Sequence, residues 1–380
     1  MTDRTERENA WRLLGHVCTA DVDPRASAAA AELLTGPLDL DELISQAARH
    51  ALLPALAAHV IEVERTDLFP LELRRHLIDS LYWNRHKTAL ATDEALRIVA
   101  AADASGVSVA CTKGVVCQFT TYGGRGIRGF GDIDLMAHPD DREKVAALLG
   151  DLGYSGAVTY DHKTGRLVEI GRADKALYRL HRDHLPHFLR VTEGGSVPFH
   201  MVDVAFSLTW HTSGWQLPMD EVLADLEQVA VPGRSGGDVL PALAVPYDFL
   251  FLALHLFREA WFQRTILKKN VRLGQFADIC RFWWLRGRDH AAEISRLVTA
   301  HGLQPPIAWV CHHTDAVFGS ALVGELGLDG YVAEDWLNSA GATDGSGLAW
   351  RGSMRDRLRD RVPPQLTAAP LPSLARAVRA

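Results

Sequence analysis

Asp132-Ile133-Asp134-Leu135-Met136-Ala137 is the stretch on which the reading of this chain turns. Its first half alternates polar and apolar residues, as a strand does. Side chains two apart on a strand point the same way, so Asp132 and Asp134 stand side by side. Adjacent carboxylates repel unless a cation neutralises them, and a hard divalent ion such as Mg²⁺ suits an all-oxygen pair. Solvated turns also produce a lone Asp-x-Asp, so the neighbouring residues carry the argument.

Upstream, Val107 to Cys111 is a short β-branched run that ends at Thr112-Lys113-Gly114, and a short helix is expected over Val115 to Tyr122. Lys113-Gly114 thus falls at a strand-to-helix turn, where a helix N-terminus attracts anions. The loop Gly123 to Gly131 is rich in glycine and carries Arg125 and Arg128. Such a loop can bring backbone N–H groups close to a phosphate. Downstream, Val197 to Leu208 alternates and reads as a longer strand, with Asp203 on the face of Phe199, Met201 and Ala205. Weaker strands are expected at 157–160 and 166–170. Val107 to Leu208 therefore reads as a mixed α/β domain with three acids on two strands.

Helical periodicity dominates both flanks. A long helix is expected from Leu71 to Ala104, Asp39 precedes a helix through Ala51, and Pro246 opens another. Gly341 to Gly352 is glycine-rich, and Pro363, Pro364, Pro370 and Pro372 follow it, so the last stretch reads as a loose tail.

These residues resemble the nucleotidyltransferases of the DNA polymerase β type. They are more closely similar to an uncharacterised bacterial nucleotidyltransferase family. The resemblance is carried by Lys113-Gly114, Arg128, Asp132-Ile133-Asp134-Leu135, Gly153-Tyr154, His184-Leu185-Pro186-His187 and Val202-Asp203, and later by Leu254-His255-Leu256 and Asp278-Ile279. Two positions depart from it. Lys-Gly stands where the polymerase-type fold has Gly-Ser, and Ala205 stands where the closer family has His.

The resemblance implies an α+β fold: a polymerase β-type core, a small mixed sheet with helices, flanked by helical domains. The expected division is an N-terminal helical domain (1–104), the core (105–230), a C-terminal helical domain (231–338) and a loosely structured tail (339–380). It also implies transfer of a nucleoside monophosphate from an NTP, ATP by default, to an acceptor hydroxyl, with Mg²⁺ and release of pyrophosphate. Asp132, Asp134 and Asp203 would be the catalytic and metal-holding residues. Lys113, Gly114, Arg128 and His184 would contact the nucleotide. The alternative is a catalytically silent nucleotide-binding or antitoxin-like interaction module with the same fold.

His181, His184 and His187, with Asp183, could instead bind a transition metal, but Pro186 interrupts any helix there and favours a loop beside the site. Asp248, His255 and Glu259 share one helix face, and a core network with Asp278 or a contact to the base would each account for them. Lys268-Lys269 with Arg264 and Arg272 reads as a solvated basic face, and Cys311-His312-His313 lacks further ligands at zinc spacing.

Composition excludes several classes. Lys plus Arg is 40 and Asp plus Glu is 47 in 380 residues, a net charge of -7, which argues against a broad nucleic-acid surface. No stretch approaches the ~18 apolar residues of a membrane helix. The charged start Met1 to Glu8 argues against a secretory signal, and the five cysteines form no CxxC pair. The expected setting is the cytoplasm.

Overall fold

Four-residue Val109–Thr112 (β1) is buried along its whole length and lies antiparallel to the equally buried Ile133–Ala137 (β2). The further strands are Ser155–Gly156 (β3), Val158–Asp161 (β4), Arg166–Glu169 (β5), Phe188–Val191 (β6), Phe199–Ala205 (β7), Glu227–Ala230 (β8) and Val239–Ala242 (β9). Seven of them form one mixed sheet in the order β3-β6-β7-β2-β1-β9-β8, while β4 and β5 pair as a separate hairpin. The computed structural model describes residues 4–180, 183–211, 213–233 and 237–378. The chain is mixed α+β, as expected.

Two compact units divide the chain. One comprises residues 1–85, 125–129 and 252–380, the other 86–124 and 130–251. The expected four-part division does not follow these lines, because the N- and C-terminal helices share one unit. The sheet also runs past position 230, since β9 supplies the parallel neighbour of β1 through Cys111 and Ala242.

In the sheet unit, Cys111, Ile133, Leu135, Val202, Val204, Leu240 and Ala242 pack one face of the sheet. Against it lie Ala95, Ile98 and Val99 of the long helix Leu71–Ala104, Val115 and Val116 of the helix Lys113–Thr120, and Val145 and Leu149 of the helix Arg142–Asp151. Alternation along β7 sends Val202 and Val204 into this core and leaves Met201 and Asp203 on the other face.

The helical unit is built differently. Asp39 caps the helix Leu40–Arg49 by accepting from the Glu42 amide at 3.0 Å. Farther along, Trp261, Trp309 and Trp336 are fully buried, and the Phe257 ring stacks on Trp261 at 5.5 Å. The stretch expected as a loose tail is ordered. It carries a three-stranded sheet, the helix Met354–Arg359, and the buried side chains Trp350, Met354 and Leu358. His313, dismissed as a zinc ligand, is a core residue whose Nε2 lies 3.1 Å from the Leu337 carbonyl.

Buried His50 ties this unit together: its Nδ1 accepts from the Leu273 amide at 2.9 Å, so Nε2–H donates to the Leu358 carbonyl at 3.0 Å. Burial first, then the charge of Arg49, pushes His50 down to about 3; burial and His312 do the same to His313. Below pH 6.5 the unfolded chain takes up protons that these two folded imidazoles refuse until about pH 3. Their contribution to stability is therefore complete above pH 6.5 and drains as pH falls toward 3. Each should cost about 1 kcal/mol per pH unit in that window. Denaturant unfolding at pH 6.5 and 4.5 checks this: the His50→Gln, His313→Gln double variant should show a flatter pH slope than the parent.

Candidate functional site

Three neighbouring strands present a polar row on the face opposite the core. Thr112 on β1 pairs in register with Asp134 on β2, and Asp134 pairs with Asp203 on β7. Residues directly opposite one another on adjacent strands share a face. Asp132 stands just before β2, two residues from Asp134. Asp134 and Asp203, 69 residues apart in sequence, thus become immediate neighbours because β2 and β7 pair in parallel.

Two atoms of the row lack a hydrogen bond. Thr112 Oγ1 and Asp203 Oδ1 are buried and make no hydrogen bond. His187 Nε2 is 3.9 Å from Asp203 Oδ1, beyond hydrogen-bond reach. Thr112 is the N-cap residue of the helix Lys113–Thr120, yet its hydroxyl does not cap that helix.

Lys113 begins the helix with a left-handed φ of 46°, uncommon for a residue with a side chain. Its ammonium forms an ion pair with Asp134 and sits 5.4 Å from the centre of the Phe251 ring. Burial works against the charge on Lys113, but Asp134, Asp203 and Asp132 together hold its pKa above the ordinary value. Asp134 moves in the same direction: burial and the charges of Asp132 and Asp203 push its carboxyl up, against the pull of Lys113. Gly114 is required by packing. A Cβ there would lie 2.8 Å from Cδ2 and 2.9 Å from Cγ of Phe130.

His184 forms a bridge with Ala205 at the end of β7, which places it on the side of Asp203. The Leu185 amide donates to the Val204 carbonyl at 3.0 Å, and the Phe206 amide donates to the Asp183 carbonyl at 2.8 Å. His184 Nδ1 is 3.0 Å from Asp183 Oδ2. The histidine segment is therefore a loop laid along the acid-bearing strand. His181 lies outside the described residues.

Arg128 belongs to the helical unit. Its Nε and one terminal nitrogen donate to the two Asp278 oxygens at 2.9 and 2.8 Å. The glycine-rich loop is held in the same unit at several points. Asn84 donates to the carbonyls of Gly126 and Arg128 at 2.8 and 3.0 Å, and Arg125 forms ion pairs with Asp21 and Glu62. Gly126, at φ 66°, passes so close to Arg85 that a Cβ would meet it at 2.4 Å. His255 lies 3.7 Å from Glu259, and Lys269 of the basic patch is paired with the same carboxylate.

Of the seven residues that the sequence singled out, Lys113, Gly114, Asp132, Asp134, Asp203 and His184 fall in the sheet unit and Arg128 in the helical unit. Sequence reasoning missed Thr112, whose signal was its position as the last residue of a strand that must pair with the Asp-x-Asp strand. Among the described residues, no group of three or more His, Cys, Asp or Glu side chains is already arranged to hold a metal ion. The donor chemistry nevertheless fits a hard divalent cation. Asp132, Asp134 and Asp203 offer carboxylate oxygens, and the unpartnered Asp203 Oδ1 is buried beside them.

A family model described as "Uncharacterised nucleotidyltransferase" matches residues 36–319, most of the chain. No curated protein matches. No helix among the described residues is long and apolar enough to cross a membrane.

Proposed function

The chain belongs to this nucleotidyltransferase family, and from that premise we propose that it transfers a nucleoside monophosphate from an NTP, ATP by default, to an acceptor hydroxyl on a polymerase β-type core. The observation that carries the reading is the row Thr112, Asp134, Asp203, with its unpartnered Asp203 oxygen.

Asp132 and Asp134 would hold the ion that grips the triphosphate, and Asp203 would serve the acceptor side. Mg²⁺, when bound, supplies neutralisation of charge on the triphosphate and on the departing pyrophosphate. The acceptor oxygen forms its bond to the α-phosphorus as the bond from that phosphorus to the leaving oxygen breaks. Pyrophosphate departs with the electron pair, and the hydroxyl proton passes to an Asp203 oxygen. The Lys113 ammonium offsets phosphate charge. Gly114 would contribute to phosphate binding through its backbone at the helix start. His184 donates a hydrogen bond to the nucleotide from the loop beside β7.

The silent-module reading draws on a specific observation too: Lys113 already neutralises Asp134. Thermal unfolding separates the two. NTPs should stabilise the chain only with Mg²⁺, and Asp132→Ala should lose that effect. Incubation with labelled NTPs and cell extract should then yield an acceptor heavier by one nucleotide. NTP stabilisation that is indifferent to Mg²⁺, with no adduct, would establish the module instead.

A further inference from the structure

We propose that the Lys113 ammonium is the resident cation of the acidic row, and that a divalent ion must displace it from Asp134 in order to bind. The inference rests on the nucleotidyl-transfer reading and adds a constraint to it: the row binds metal alone only weakly.

The geometry makes the conflict plain. The lysine is placed by the left-handed turn at position 113, directly after β1, and its ammonium pairs with the central acid of the row. Asp203 flanks that acid on the next strand, and Asp132 precedes it by two residues. An ammonium and a divalent ion carry like charge, so both cannot share the Asp134 carboxylate at ion-pair distance without strong repulsion. The lysine satisfies Asp134 but leaves Thr112 Oγ1 and Asp203 Oδ1 without hydrogen bonds. A hydrated ion brings ligand waters that hydrogen-bond such atoms. The resident lysine is also consistent with the lack of a ready-made metal arrangement among the described residues.

Displacement has a second consequence. A buried ammonium that loses its carboxylate is costly until it finds another anion. The triphosphate is that anion, since it arrives with the metal. Lys113 therefore couples the two ligands: each tightens the other by the same factor, as linkage requires.

Calorimetric titration of Mn²⁺ alone into the full chain tests this. Lys113→Met should bind Mn²⁺ at least tenfold more tightly than the parent. Lys113→Gln, which keeps a hydrogen-bond donor for Asp134 and so guards against a folding failure, should shift the same way. Lys113→Arg, which keeps the charge, should bind as weakly as the parent. A merely structural lysine would not raise metal affinity when removed. If the parent takes up Mn²⁺ and the Met and Gln variants bind no more tightly, the inference fails while the transfer reading stands. If neither the parent nor any of the three variants binds Mn²⁺ at millimolar concentration, both fail.

Discussion

Asp203→Asn is expected to bind Mg-NTP and to turn over slower by on the order of 10²-fold or more, the scale of losing a general base or charge-stabilising group. Asp132→Asn and Asp134→Asn should instead lose metal-dependent nucleotide binding and turnover together. The division follows from position. Asp132 and Asp134 come from one strand and its approach, and Asp134 is already paired with Lys113. Asp203 comes from β7 and keeps a buried oxygen that accepts no hydrogen bond, with His187 Nε2 3.9 Å away. Titration of Mg-NTP into the three variants decides the matter. Nucleotide binding lost in Asp203→Asn as completely as in Asp132→Asn would make Asp203 a ligand of the triphosphate ion.

The second large effect concerns stability. Glu94 sits on the long helix, buried, and gathers three partners from across the sheet unit. Arg97 and Arg190 each reach it at 2.6 Å, and the Tyr154 hydroxyl donates at 2.6 Å. Burial works to raise its pKa, but hydrogen bonds from Arg97, Tyr154 and Arg190 overcome this and hold it at about 2. Glu94→Ala should cost about 3 kcal/mol, the lower end for breaking a buried pair, because both arginines keep some access to water. With the carboxyl depressed, its contribution is present above pH 4.5 and lost as pH falls toward 2. Denaturant midpoints at pH 7 and pH 3 check both statements: the difference between parent and Glu94→Ala should be smaller at pH 3. Since Arg190 lies on β6 beside β7, the same variant loosens the strand that carries Asp203.

The central strands were legible because they satisfy the local rule. Asp132 to Leu135 alternate, Val197 to Leu208 carries the same pattern, and Val107 and Val109 are β-branched. The outer strands do not. β9 reads Val239-Leu240-Pro241-Ala242, and a proline inside a run argues against a strand on local grounds. β6 begins two residues after Pro186, at the end of the histidine loop, and is only four residues long. β8 has four residues and no apolar alternation strong enough to stand out. The C-terminal stretch was missed for a different reason. Trp350 and Leu358 are buried by partners distant in sequence, which neither glycine content nor periodicity reveals.

At the site, residue types foretold the acids, whereas partners were hidden. Nothing in Lys113-Gly114 says that the ammonium turns onto Asp134, because that depends on a backbone dihedral and on strand register. Arg128 and Asp278 lie 150 residues apart, and their bidentate pair is likewise a product of tertiary structure.

The path of the chain bears on how the molecule can be cut. Five residues, 125–129, belong to the helical unit, although the sequence on either side belongs to the sheet unit. The helical unit also joins residues 1–85 to residues 252–380. Neither unit corresponds to one uninterrupted reading of the gene. A fragment ending near residue 230 would leave β8 without its hairpin partner and β1 without its parallel neighbour. Insertion or deletion within 123–131 would disturb two folding units at once, so this short loop is a poor place for a tag, a linker or a circular-permutation break, despite the glycine-rich composition that makes it look permissive.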